Sequence, residues 1–383
     1  MNVLVDVSVI RCDDYNEATV SSALSEAIDA VGGLDFIKEG STVVIKANLV
    51  TFMKPDSAAT THPEMLCALV KLLKQRGARV IVGDSPGGLY NAAFVNRVYS
   101  ATGMGAVEQL GAELNRDFSQ ATANNLEAVK AKQFEYTAYL DKADVIINFC
   151  KLKSHGMMGM SAAAKNMFGA VPGTIKPEYH FKYPDADDFA DMIVDIDQYF
   201  KPILNIADAV VGMEGNGPTQ GKPRHIGAVL ASKSPHLLDR VCAHIIGMKP
   251  DEVPTLRAAI RRGLAPQQLD EVAVNCDLEP FVIKDFDIIK VSKSLQFSGN
   301  SVFSRLRGKV FRACLSSKPK LKAKQCVGCN ECGKICPAKA IVMKNGKAVI
   351  DRKKCICCFC CQEFCPKGAM KVGRTVIAKL LGR

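Results

Sequence analysis

Eight cysteines near the end of the chain form two copies of one pattern. Cys326, Cys329, Cys332 and Cys336 precede Pro337, and Cys355, Cys358, Cys361 and Cys365 precede Pro366. Both copies read C-x2-C-x2-C-x3-C-P, and the second follows the first at an offset of 29 residues. The pattern suits a pair of 4Fe–4S clusters: three closely spaced thiolates wrap one cluster, and the fourth ligates the other. One cluster would then take Cys326, Cys329, Cys332 and Cys365, and the other Cys355, Cys358, Cys361 and Cys336. The expected chemistry is transfer of single electrons at low potential. Zinc sites instead show two C-x2-C pairs split by a longer spacer. A disulfide framework does not suit a long chain whose cysteines crowd one short region.

The segment between the cysteine loops must position them. Ile341–Ile350 reads as a β-hairpin around Asn345-Gly346, the favoured type I′ pair. Cys357 and Cys360 fall inside the second loop and outside the pattern. They are either alternative ligands or small side chains packed near sulfide. The remaining cysteines are scattered, as expected of small buried hydrophobes.

Composition bounds the rest. The 383 residues are 48% hydrophobic and 23% charged, ordinary for a globular protein of two or three domains. The opening Met1–Asp6 reads as a first strand rather than a secretory leader. No apolar run reaches membrane-span length. Sixteen cysteines without an export signal point to a reducing, cytoplasmic setting. The formal charge of +11 falls to roughly +7 once ligating thiols are counted as thiolates around two clusters. Arg305, Arg307, Lys309, Arg312, Lys318, Lys320, Lys322 and Lys324 form an acid-free strip. It is either a solvated linker or a docking strip for an acidic electron donor or the cluster module. No recognised motif accompanies it to suggest nucleic acid.

Residues 1–291 alternate β-branched runs with helical patterns. Strands are expected over Val3–Ile10, Val43–Ala47, Val80–Gly83, Val145–Cys150, Asn205–Gly212, Ala228–Ala231 and Phe286–Val291, with helices over Thr19–Val31 and Pro63–Arg76. The fold class is α/β, a mostly parallel sheet with helices on both faces, plus a small C-terminal α+β ferredoxin-type domain. Ligands of such sheets bind beyond the carboxyl ends of the strands. Lys46 and Asn48 follow one strand there, and Asp84-Ser85-Pro86-Gly87-Gly88 follows another. Lys151-Leu152-Lys153-Ser154-His155 follows a third. Alternation along an extended segment puts Lys151, Lys153 and His155 on one side. A short helix from an N-cap at Ser161 to Phe168 would add Lys165 and Asn166. Together these would make a cationic pocket for carboxylate or phosphate. Glu214 is an acid/base candidate in the loop Met213–Thr219. Met157–Asp185 is long for a connection and is expected to be a lid or to pack on the cysteine module. Neither a Walker A loop nor a G-x-G-x-x-G fingerprint occurs.

The stretches Val44–Val50, Thr61-His62-Pro63-Glu64, Gly83–Gly88, Lys151–His155, Ala164-Lys165-Asn166 and Gly212–Pro218 resemble the domain of unknown function 362 family. That family is often fused to a two-cluster, bacterial-type ferredoxin. The resemblance covers roughly residues 1–250, names the same strand-end residues, adds His62 to them, and brings no reaction with it. The expected division is 1–300, an anion-binding α/β domain; 301–324, a basic linker; 325–372, the cluster domain; and 373–383, a tail. Three functional readings follow. The chain is an oxidoreductase that reduces a small anionic substrate, with Lys153, His155 and Glu214 as catalytic groups. Or it is an electron-transfer subunit for a separate enzyme, or a redox sensor. Electrons would come from a soluble donor such as ferredoxin, with a flavin as an alternative cofactor. The sequence does not define an oligomeric state.

Overall fold

The computed structural model describes residues 4–289 and 317–373. Arg305 to Arg312 and the tail lie outside the described residues. The strands, in chain order, are β1 Val7–Arg11, β2 Thr42–Lys46, β3 Arg79–Gly83, β4 Glu113–Leu114, β5 Gln120–Asn124, β6 Gln133–Thr137, β7 Val145–His155, β8 Gly159–Ser161, β9 Leu204–Asn216 and β10 Gln220–Ser232. The helices among them are α1 Glu17–Ala30, α2 Pro63–Gln75, α3 Ala92–Thr102, α4 Gly105–Glu108, α5 Ala163–Asn166, α6 Lys176–Lys182, α7 Ala186–Phe200, α8 Pro235–Ile245 and α9 Pro254–Arg261. No described helix is long and apolar enough to cross a membrane.

The central sheet runs β1-β10-β9-β7-β2-β3-β4, with β8 folded back on β7. The pairs β9–β7, β7–β2, β2–β3 and β3–β4 are parallel; β1–β10 and β10–β9 are antiparallel. The α/β class holds, and the sheet is mostly parallel. Alternation along the strands sends Val43, Ile45, Val80 and Val82 to a core under α1, α2 and α3. Val44 and Ile81 point the other way, to a core with α7 and the β5–β6 hairpin. Local chemistry fixes the helix ends. Pro63 opens α2 at its first turn, and His62 Nδ1 accepts the Glu64 N–H at 3.3 Å. Gly77, in the left-handed region, follows its end.

Two expectations are corrected, and one of two alternatives is met. The strand expected to end at Gly212 continues to Asn216 and turns through residues 217–219 into β10, where Gly221 lies so close to Met213 and Glu214 of β9 that a Cβ would not fit. Residues 286–289 carry no strand; the remainder of Phe286–Val291 lies outside the described residues. Met157–Asp185 is not an open lid: it holds β8, α5 and α6, and its Met157, Met158 and Phe168 share a core with Phe359.

The C-terminal unit is small. Strand β11 Lys318–Leu321 pairs antiparallel with β14 Met370–Gly373, and β12 Ile341–Lys344 pairs with β13 Lys347–Ile350 through the expected Asn345-Gly346 turn. Two four-residue helices, α10 Glu331–Lys334 and α11 Cys360–Glu363, stand at equivalent places in the two cysteine loops. Lys318 and Lys320 of the basic strip lie in β11 rather than in a loose linker.

Candidate functional site

A pocket opens beyond the carboxyl ends of β2, β3 and β7, where a parallel sheet places its ligands. Its floor is a chain of side-chain amides. Asn48 Nδ2 donates to Asn166 Oδ1 at 2.7 Å, Asn166 Nδ2 to Asn148 Oδ1 at 2.8 Å, and Asn148 Nδ2 to Asn205 Oδ1 at 2.9 Å. Each buried amide is satisfied by the next, so the floor is rigid. Lys153 Nζ donates to Asn48 Oδ1 at 2.7 Å and to the Ala59 carbonyl at 2.5 Å. Burial, and then the charge of Lys165, lowers the Lys153 ammonium to about 7. Lys46 Nζ meets Asp84 Oδ1 at 2.7 Å with both groups buried, and Asp84 Oδ2 accepts the Leu49 N–H at 2.7 Å. Gly169 lies against this pair; a Cβ there would strike both charged groups.

The second wall comes from the segment after β7. Helix α5 has no N-cap side chain of its own. Ser161 ends β8 instead, and the buried Asp239 of α8 reaches across to accept the N–H groups of Ala163 at 2.6 Å and Ala164 at 3.2 Å. This remote cap aims Lys165 into the pocket, where its Nζ lies 4.9 Å from the Phe168 ring centre. Lys176 donates to the Ser85 carbonyl, and Ser85 Oγ accepts the Gly173 N–H at 2.7 Å. Burial lowers Lys176 to about 7 and His180 to about 3. His180 is buried with its Nδ1 unpartnered.

The third wall is the cysteine unit. Cys360, Glu363 and Phe364 line the pocket beside Lys153, His155 and Lys165. His155 Nδ1 accepts the N–H groups of Met157 and Met158, both at 3.2 Å. That leaves the ring proton on Nε2, which lies 3.0 Å from Glu363 Oε1. Burial lowers His155, which favours this neutral form donating to the carboxylate. Burial pushes Glu363 up, but the His155 bond and the nearby Lys165 outweigh it and hold the acid at about 2. The seam is closed by further bonds. Thr219 Oγ1 donates to the Glu363 carbonyl at 3.0 Å, Gln220 Nε2 to the Cys365 carbonyl at 3.2 Å, and Gln362 Nε2 to the Asn216 carbonyl at 2.8 Å. Phe364 packs against Gly87, where a Cβ would not fit.

Of the expected site residues, Asn48, Asp84, Ser85, Lys153, His155, Lys165 and Asn166 line this pocket, with Lys46 behind Asp84. Three do not. Lys151 and Lys153 do not act together. Opposite them β9 bulges, pairing Lys151 with Asp208 and Lys153 with Met213. Lys151 Nζ goes instead to Asp208 Oδ2 at 2.8 Å and Tyr15 Oη at 2.7 Å. His62 stacks on Tyr15 with ring centres 3.7 Å apart and lines a different, open hollow. Glu214 accepts the Asp287 N–H and faces Arg224 at 3.9 Å, away from the pocket lining. Conversely, Lys176, His180 and Glu363 escape sequence reading. No local pattern marks them, since each meets the pocket only through tertiary packing.

The eight patterned cysteines border two further cavities. One is lined by Cys326, Cys329, Cys332 and Cys365, the other by Cys336, Cys355, Cys358 and Cys361, with Cys357 and Cys360 also bordering the second. The cysteines that border each cavity are those the spacing groups together. Cys336 Sγ accepts the Ala340 N–H at 3.3 Å and Cys365 Sγ the Ala369 N–H at 3.1 Å, equivalent bonds in the two repeats. Among the described residues, no three His, Cys, Asp or Glu side chains converge on a single-ion site.

Fold and site define an α/β protein with a cationic strand-end pocket walled on one side by a cysteine-rich unit. The chain belongs to the family described as a domain of unknown function (DUF362), whose model matches residues 43–244. The "Thylakoid-associated protein sll1697" of Synechocystis is 33% identical over 267 residues, which span 68% of this chain and 80% of that protein. The lactate racemase apoprotein of Thermoanaerobacterium thermosaccharolyticum aligns with a TM-score of 0.40 and 13% identity, over 63% of this chain and 57% of its own.

Proposed function

We propose that the chain is an iron–sulfur oxidoreductase of a reducing compartment such as the cytoplasm. Two 4Fe–4S clusters in the C-terminal unit would pass electrons to a small anionic substrate in the strand-end pocket. The placing of four patterned cysteines around each of two cavities supports that cofactor. Zinc would draw sulfurs to about 2.3 Å from one point, whereas a cubane needs thiolates spaced around a cavity. Cys326, Cys329, Cys332 and Cys365 would hold an outer cluster, and Cys336, Cys355, Cys358 and Cys361 an inner one. When bound, the clusters supply one-electron transfer.

The observation that carries the reading is that Cys360 borders both the inner cysteine cavity and the cationic pocket. Electrons leaving the inner cluster would arrive where Lys153, His155 and Lys165 hold the substrate. The outer side is open: Cys329 is exposed and Val327 is 62% exposed. A soluble donor such as ferredoxin would meet the chain there. The bonded seam disfavours a unit that serves only a separate enzyme, because its inner face is already covered.

The test is anaerobic purification with iron, sulfide and flavin analysis, followed by Lys153→Ala and His155→Ala assayed with a reduced ferredoxin. We expect about eight irons per chain, no turnover in either variant, and unchanged cluster absorbance. Turnover surviving both substitutions would remove the pocket from the mechanism.

A further inference from the structure

We propose that the strand-end pocket selects small dianions over monoanions, an inference that rests on the reading of this pocket as the substrate site. The lining carries more positive than negative charge. Lys46 and Asp84 neutralise each other at 2.7 Å. The remaining charged side chains are Lys153, Lys165 and Lys176 against Glu363 alone, which leaves two positive charges unbalanced when all three lysines are protonated. His155 is a neutral donor, fixed by two backbone N–H groups on its Nδ1.

Charges out of water need counter-charges, and the lining supplies one carboxylate for these three lysines. Lys165 reaches its place over Phe168 and makes no hydrogen bond among the described residues. The unpartnered His180 Nδ1 lies on the same side, its ring 5.9 Å from that of Phe168. Both offer polar atoms to a ligand rather than to the fold. The cavity measures about 90 Å³. At ~30 Å³ per water that is room for about three waters, which limits the ligand to a small anion such as phosphate or the shortest dicarboxylates. Phe168, Phe364, Pro177 and Pro218 line the remainder, which suits a short carbon skeleton between two anionic ends.

Direct binding tests this without any turnover. Malonate, inorganic phosphate and acetate are titrated calorimetrically into the full-length, anaerobically purified protein. Malonate and phosphate should bind at least about tenfold more tightly than acetate, the order of one well-placed charge pair. Lys165→Met should remove most of that preference, and Lys176→Met, outside the cysteine unit, should do the same independently. Glu363→Gln keeps the bond to His155 and removes the one lining carboxylate not paired with Lys46, so it should tighten malonate binding. Equal affinity for acetate and malonate overturns the proposal. So does a Lys165→Met variant that shifts the inner-cluster potential while leaving anion binding untouched, since the lysines would then serve the cluster. If malonate binds as expected but the protein holds no iron, the dianion site stands and the redox reading fails.

Discussion

The two cysteine repeats share one backbone and face opposite surroundings. Positions offset by 29 residues adopt the same left-handed turns: Gly328 and Cys357, Asn330 and Phe359, Lys339 and Gly368. Their side chains differ wherever the surroundings differ. The first repeat puts Asn330, Glu331 and Lys334 toward water, and Lys334 pairs with Glu331 at 2.8 Å. The second puts Phe359, Cys360 and Glu363 at the same places, and all three are committed to the α/β domain. A duplicated cysteine unit thus becomes asymmetric without changing its fold: one half keeps a solvent face, and the other gives its face to the strand-end pocket.

The largest expected asymmetry lies in the thiolates. Cys361→Ser should remove the inner cluster and abolish electron delivery to the pocket. Cys329→Ser, at an exposed position in the outer set, should leave the inner cluster's EPR signal in place and slow only its reduction by an external donor. Equal loss of both signals in both variants would show that the halves are not separable.

Next in size is packing. Phe359 is 4% exposed in a core with Met157, Met158 and Phe168, whereas Val327 is 62% exposed. Phe359→Ala should cost about 3–5 kcal/mol and Val327→Ala at most about 0.5 kcal/mol, measured by urea unfolding of the holoprotein. A small effect at Phe359 would mean that the seam is loose and the inner face accessible.

A pH profile separates the pocket from the outer surface. Burial lowers Lys153 and Lys176 to about 7. Lys153 faces Lys165, Lys151, Asp84 and Glu363, and Lys176 faces Asp84, Lys46, Lys165 and Glu363. A cation with a lowered value is protonated below it. Malonate binding should therefore be strong below about pH 7 and weaken up to about tenfold per unit above it, as read by calorimetry. Donor docking on the exposed side around Cys329 and Val327 should be flat across the same range. A pocket affinity that rises with pH would reverse the assignment.

The same contrast explains what the sequence could reveal. Thr42–Lys46 and Pro63–Gln75 announce themselves by β-branched runs and by Pro and Gly at helix ends. The division of the cysteines between two cavities is legible because cysteine spacing is a local constraint. Lys151 was misplaced because the bulge in β9 lies on the partner strand, and strand alternation within β7 carries no sign of it. Glu363 was invisible for a stronger reason. Its partner His155 lies some 200 residues away, and the equivalent position in the first repeat is Lys334, so the motif does not prescribe an acid there.

The smallest effect concerns the thiol that has no counterpart. Cys357 stands at φ 57°, where the first repeat has Gly328 at 76°. A side chain in that region costs roughly 1–2 kcal/mol, and glycine returns up to about 1 kcal/mol of it to unfolded-chain entropy. Cys357→Gly should therefore stabilise the protein by up to about 1 kcal/mol. Iron per chain should not change, because Cys357 lies outside the ligand pattern. Its thiol donates to the sulfur of Cys355, and hydrogen bonds to ligand sulfur help set a cluster's potential. The inner cluster of the glycine variant should consequently titrate at a slightly lower potential, with the outer cluster unmoved as internal reference. Loss of half the iron would instead make Cys357 a ligand and end the equivalence of the two repeats.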